Sequence, residues 1–418
     1  MIADYLAKVQ LFSRDVRLLM LVYGVMGFGY VGVYAVLYNL YLLRLGYDPE
    51  TIGQINAIGR LAFGLAGIPA GLLGVRYGAR RLLLLGELVC IVGLLGGPLV
   101  EFLPVGMQTT WLAVTCALSF GGATLFFVNS LPVTMDATTD VERRHVLSLM
   151  GAVVPLFAFV GSLTGGALPG WIGALLHLND SSPVPYRWAL LFGGAIFLLT
   201  IPLVLAIHAG RGTGYTPAQV TTDDDLPLFT IAMLSLVAVF GSTGIGATGA
   251  FFNVYLDHGL GSTTKWIGAI TASSQFVAVP AATLMPILAS HLGNRRAYMV
   301  SLLGVALWLL PLGLVPTVAV AGIGLIGVSA CAGIVGPLFN LYSQINVPAR
   351  WRSLMSGCSF TAMGGSWALT AFLGGWAIEP FGYPVLFLGA AVTTALGAAL
   401  FTVVSRVIES RCPNPDGR

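Results

Sequence analysis

Arg60 is a permanent cation in the middle of an apolar run over residues 50–75. Its planar fork of donors suits a carboxylate or phosphate. The residue lies ten positions after Glu50, so a helix rising 1.5 Å per residue carries it roughly 15 Å deep, near a bilayer centre. A central arginine costs about 2.5–3.5 kcal/mol on insertion scales, so it is expected to face a cavity or a partner rather than lipid. Either Arg60 holds an anionic group of a ligand, or it is structural and bonded to backbone carbonyls of a neighbouring helix. Other polar groups lie in similar runs. Tyr30, Tyr34, Tyr38 and Tyr41 are spaced by four, four and three residues, hence on one helical face. Asn129, Asn253, Gln275, Asn340 and Gln344 sit in four further runs, and Trp367 in another. Each of these also suits polar packing between helices, or an interfacial position for the aromatics. Glu87 is the second buried charge, about a turn and a half inside its run, either as a protonation site or as a contact for nearby arginines.

Other chemistries find no support. Cys90, Cys116, Cys331, Cys358 and Cys412 are scattered without metal or redox spacing, and no metal site or cofactor is expected. No phosphate-binding loop is present. The net charge of +3 and the lack of a basic, aromatic-interleaved patch argue against nucleic acid.

The elements that carry these residues are membrane spans. Only 9% of the 418 residues are charged and 56% are hydrophobic, against about a quarter charged in soluble proteins. So few charges cannot cover a solvent-facing surface, and the partner for most of the outside is the lipid bilayer. Runs of about 20 apolar residues place spans at 17–43, 50–75, 82–103, 108–136, 146–173, 186–208, 227–256, 264–290, 296–315, 317–346, 353–379 and 384–406. The run from Leu18 to Leu43 is too long for a signal sequence. Residues 2–14 read as a short amphipathic surface helix. Of the twenty Lys and Arg residues, all but Arg44, Arg187, Lys265 and the mid-span Arg60 fall on the side of the termini. This asymmetry predicts a multi-pass protein of the cell's inner membrane with both termini cytoplasmic.

The chain repeats internally. Gly78-Ala79-Arg80-Arg81 corresponds to Gly293-Asn294-Arg295-Arg296 at an offset of 215 residues (293 − 78). The same offset pairs Ile52-Gly53 with Ile267-Gly268 and Arg60 with Gln275. With one residue of slippage, Asn39-Leu40-Tyr41-Leu42 pairs with Asn253-Val254-Tyr255-Leu256. Two halves are therefore expected, residues 1–208 and 227–418, each of six helices, joined by a polar cytoplasmic linker at 209–226. Such repeats place a solute site between two bundles near the midplane.

The segment Gly71-Leu72-Leu73-Gly74-Val75-Arg76-Tyr77-Gly78-Ala79-Arg80-Arg81 resembles the signature between helices two and three of the major facilitator superfamily, G-x-L-x-D-R-x-G-R-[KR]-[KR]. The resemblance covers about residues 15–408. It implies an all-α membrane protein of twelve transmembrane helices in two pseudo-symmetric six-helix bundles. It also implies a gating role for Arg76, Gly78, Arg80 and Arg81, and a cavity lined by helices one, four, seven and ten. The tyrosine face, Asn129, Asn253, Asn340 and Gln344 would then be liners. Val75 stands where the family has a latching aspartate. Asp136, with Arg76, Arg80 or Arg143, is the candidate to replace that latch, or else an ordinary helix-end charge.

These features lead to a secondary active or facilitative transporter of a small organic solute, working as a monomer. The alternatives are a multidrug efflux member of the same fold and, from another class, a membrane sensor or enzyme. The residues leave the coupling ion open: no Asp or Glu lies mid-way along the first span, and no histidine lies mid-span.

Overall fold

The computed structural model describes residues 13–137, 140–179, 181–207, 227–348 and 351–411; the side chains of residues 140–150, Arg143 with them, and of some others including Val75 and Asp136 are not described. The inter-half linker and the N-terminal segment 2–12 lie outside the described residues.

Twelve helical segments follow one another. They are α1 (Arg14–Arg44), α2 (Pro49–Tyr77), α3 (Ala79–Phe102), α4 (Val105–Ala137), α5 (Asp140–Leu176) and α6 (Pro183–Ala206). The second half supplies α7 (Leu228–Gly259), α8 (264–292), α9 (294–314), α10 (Val318–Ile345), α11 (352–381) and α12 (383–411). The spans read from hydropathy agree with these to within several residues. Helical winding runs through two of the connections, α8 to α9 and α11 to α12. Only Gly293 (φ 76°, ψ 152°) and Gly382 (φ 76°, ψ 172°) leave it there. Four other starts carry side-chain caps, from Ser13, Asp48, Ser182 and Thr317. Asp48 accepts from the Thr51 amide at 2.7 Å with Pro49 in the first turn, and Ser182 precedes Pro183 in the same way.

The repeat is structural as well as textual. Gly78 (φ 93°, ψ 130°) and its counterpart Gly293 occupy the same glycine-only region, and Gly46 (φ 90°) and Gly261 (φ 63°), again 215 apart, both take positive φ. Arg80 donates to the Val204 and Leu205 carbonyls of α6, at 3.3 and 2.6 Å. Arg295, 215 residues on, donates to the Thr402 carbonyl of α12 at 3.5 Å. The one-residue slip also has a place. The offset is 214 at Leu42/Leu256 and 215 at Leu45/Leu260, and between them α7 is wound as π-helix over Tyr255–Gly259. A π turn takes up one extra residue without breaking the helix.

The halves meet through glycines. A Cβ on Gly53 of α2 would lie 2.5 Å from the Ala371 carbonyl oxygen and 2.9 Å from the Gly375 Cα of α11. One on Gly268 of α8 would lie 2.5 Å from the Gly166 Cα of α5. The repeated Ile-Gly pair thus marks where each half's second helix crosses the other half's fifth. Small residues let backbones approach where lipid supplies no hydrophobic drive.

Candidate functional site

Four polar ties join α1 to α7 near the side opposite the termini. Asn39 of α1 donates to the Ala250 carbonyl at 2.7 Å. Asn253 of α7 donates to the carbonyls of Ala35 and Val36 at 3.1 and 3.2 Å. The two bonds are related by the repeat, because Asn39/Asn253 and Val36/Ala250 are both 214 apart. Each asparagine is steadied from the next helix of its own half. Asn56 donates to the Asn39 Oδ1 at 2.9 Å, and Thr271, 215 residues after Asn56, to the Asn253 Oδ1 at 3.4 Å. Towards that membrane face the Arg44 guanidinium grips Asp257 through two hydrogen bonds of 2.7 Å. Arg44 also lies 5.2 Å over the Tyr186 ring, whose hydroxyl meets the Thr264 hydroxyl of the other half at 2.6 Å. This end is closed by a reciprocal clasp and an ion pair.

Arg60 lies deeper, between the α2–α11 crossings at Gly53–Gly375 and Gly64–Gly364. It is 6% exposed. Its Nε has no hydrogen-bond partner. Among the described residues the ion pairs are Arg44–Asp257 and Arg187–Glu101, and no carboxylate faces Arg60. Its neighbours come from both halves. Tyr30 of α1 and Cys116 of α4 stand beside it. The Trp367 ring of α11 lies 5.8 Å from the guanidinium carbon. Gly249 of α7 leaves the space that the guanidinium fills, since a Cβ there would sit 3.2 Å from Nη2. Trp367 is held in turn by its indole N–H, which donates to the Ser242 carbonyl at 3.1 Å. A buried cation without a counter-charge is costly to maintain, and its placement between two halves suits an anion that both halves can touch. Gln275, the repeat counterpart, is half-buried and neutral, so the site is charged on one side only.

The other residues singled out in the sequence are dispersed. Tyr30 packs edge-on against Phe120 at 6.4 Å, next to Arg60. Tyr34 and Tyr38 stack on each other at 5.2 Å against Gly97 of α3, and Tyr41 donates to Glu101 at 2.9 Å. The α1 segment Gly27–Tyr34 is π-wound, where four residues still make close to one turn, and Tyr30, Tyr34 and Tyr38 all stand near Cys116 of α4. Asn129 clamps α4 to α2 through the Ala70 carbonyl at 3.2 Å, inside the first half. Asn253 belongs to the clasp. Asn340 is exposed near the terminal end of α10, and Gln344 donates to Ser356 of α11 at 2.9 Å. Among the signature residues, Arg76 lies over the Tyr77 ring at 5.3 Å, Gly78 makes the turn, Arg80 binds α6 and Arg81 is exposed. The side chains of Asp136 and Arg143 lie outside the described residues, and the latch reading with them. Gly249 is the residue that sequence reasoning missed. It signals nothing locally, because its role is set by an arginine 189 positions away (249 − 60).

Glu87 is fully buried in α3, its two carboxyl oxygens without hydrogen-bond partners beside Thr200 of α6. Such a group is carried most cheaply as the neutral acid. Glu87→Gln is therefore expected to leave the thermal unfolding midpoint of the purified protein unchanged or higher. A fall of more than about 2 °C, roughly 2 kcal/mol for a chain of this size, would show that the carboxyl is ionised and paired. A groove between α9 and α10, lined by Leu307, Trp308, Leu310, Pro311, Leu314, Val315 and Val320, offers apolar walls without a convergent polar group to orient a solute. Among the described residues no cluster of three or more His, Cys, Asp or Glu is present.

Two six-helix bundles related by an internal repeat, tied at one end and meeting around a buried cation, define a membrane transporter. The chain belongs to the Major Facilitator Superfamily, whose family model matches residues 19–371. Solved transporters share the fold. A D-xylose–proton symporter superposes with a TM-score of 0.72 at 14% identity, over 92% of this chain and 96% of that one. The nucleoside transporter NupG gives 0.70 at 13%, over 93% and 99%. A bacterial homologue of the human lysosomal transporter Spinster, inward-facing and occupied, gives 0.71 at 15%, over 96% and 98%. At these identities the likeness is one of fold.

Proposed function

We propose that this protein moves a small organic solute across the cytoplasmic membrane by alternating access, and that an anionic group of the solute docks on Arg60. The observation that carries this reading is the Arg60 guanidinium, nine-tenths buried between the halves, with Nε unpartnered and, among the described residues, no carboxylate beside it. The Lys/Arg asymmetry supports cytoplasmic termini, which puts the Arg44–Asp257 clasp on the outside. Residues 1–208 and 227–418 are the two bodies that rock, with 209–226 between them. The similar structures include transporters of uncharged solutes, a pentose and nucleosides, so the preference for an anion rests on Arg60 alone.

The test is a thermal-shift screen of the purified full-length protein against small anionic, neutral and cationic organic solutes, followed by uptake of the hits into proteoliposomes. Anions are expected to stabilise the protein and to be taken up, with both effects lost in Arg60→Gln. Hits confined to neutral or cationic solutes, transported equally by Arg60→Gln, would overturn the reading. Uptake with and without a pH gradient then separates proton coupling from facilitated diffusion.

A further inference from the structure

The surroundings of Arg60 restrict the solute more narrowly than to an anion. The charge balance is the first restriction. One guanidinium faces the site with no acidic group beside it, so a single negative charge neutralises it. The ammonium of a zwitterion, or the second charge of a dianion, would be buried without a partner.

The walls are the second restriction. Trp367 lies over the guanidinium on one flank and is fixed by its bond to the Ser242 carbonyl. Its indole passes close against α7 at Gly246, where a Cβ would stand 2.8 Å from the ring. Phe63, one turn after Arg60 on α2, meets the Trp367 ring at 5.8 Å with an interplanar angle of 31°, and Phe360 at 6.0 Å edge-on. Tyr30 also stands beside Arg60 and packs on Phe120, with Phe120 against the Gly59 backbone next to Arg60. Rings from both halves therefore stand around one cation. Rigid aromatic walls favour a flat apolar body, because offset and edge-to-face ring contacts add about 0.5–1.5 kcal/mol each beyond area burial.

We infer that the site selects a monovalent organic anion with a flat aromatic body, its carboxylate on Arg60 and its ring against Trp367 and Phe63. This inference rests on the reading of Arg60 as the solute anchor.

The experiment measures binding of five probes to the full-length protein in nanodiscs: benzoate, acetate, phthalate, phenylalanine and benzamide. Benzoate is expected to bind at least about tenfold more tightly than each of the others. In Trp367→Leu the benzoate-to-acetate ratio is expected to fall towards unity. A ratio within one protein is insensitive to the fraction that is folded, and Phe63→Leu supplies the same readout if the tryptophan variant does not accumulate. If acetate matches benzoate while Arg60→Gln abolishes binding of both, the aromatic selection is wrong and the anion reading stands. If phthalate or phenylalanine matches benzoate, the single-charge selection is wrong; if neutral benzamide does, the anion reading falls with it. If none of the anions binds, or if they bind equally to Arg60→Gln, both readings fall.

Discussion

Arg60→Gln is expected to raise the thermal unfolding midpoint of the ligand-free protein while lowering kcat/KM for the transported solute by about 10²–10⁴-fold. The loss follows from hydrogen bonds to a charged group, worth about 1.5–3 kcal/mol each, of which a fork supplies two. The gain follows from removing a buried charge with no carboxylate beside it among the described residues, a change that is commonly neutral or stabilising. Opposite signs for stability and function are the mark of a binding group maintained at a cost to the fold. Arg60→Lys keeps the charge but loses the planar fork and its stacking on Trp367, so roughly a tenfold loss in kcat/KM is expected, without the rise in stability. Thermal unfolding monitored by tryptophan fluorescence, together with initial rates in proteoliposomes, reads both quantities. A structural arginine would give the opposite stability result, with Arg60→Gln unfolding at a lower temperature than wild type and transport lost in proportion.

The sequence discloses the frame of this site better than its lining. Hydropathy alone placed Arg60 at mid-depth, because the spans are delimited by loops whose glycine and proline signals are strong. The offset of 215 was readable since it falls on residues that geometry constrains: Gly78 and Gly293 at the same left-handed turn, Gly53 and Gly268 at the crossings between halves. Two kinds of information were not readable. The first is local winding. The π turn over Gly27–Tyr34 leaves no mark in the hydropathy of α1, and only the structure shows Tyr34 and Tyr38 stacked against Gly97 while Tyr30 stands beside Arg60. The second is pairing across halves. Asn39 and Asn253 were visible as equivalents, but nothing in one strip of sequence says that each reaches for the other's helix. Asn129 shows the reverse case: a buried amide with the composition of a liner that instead bonds α4 to α2 within one half. Polar side chains in a membrane helix are usable both as ligands and as fasteners, and only the opposing backbone decides which.

Asp257→Arg is expected to abolish closure of the outer end and to lower uptake by about 10²-fold, with the double exchange Arg44→Asp/Asp257→Arg restoring a substantial part. The wild-type pair is bidentate, and the two side chains are only 19% and 10% exposed, so solvent screens it less than a surface pair. Placing two guanidiniums there replaces attraction with like-charge repulsion and strands both; breaking a buried pair costs about 3–5 kcal/mol. On the proposed rocking motion that cost falls on one state only, because the pair forms when α1 and α7 meet and is absent when they part. A shift of about 3 kcal/mol between two states changes their ratio by roughly 10², which sets the expected fall in rate. The asparagine clasp predicts a finer result. Since Asn39 and Asn253 make equivalent bonds, Asn39→Ala and Asn253→Ala should open the outer end to similar extents, read as a longer distance between spin labels on the α1–α2 and α7–α8 loops. An Asp257→Arg protein with wild-type uptake and an unchanged label distance would show that the ion pair is decorative, and that the outer end is held by the glycine crossings at Gly53 and Gly268 instead.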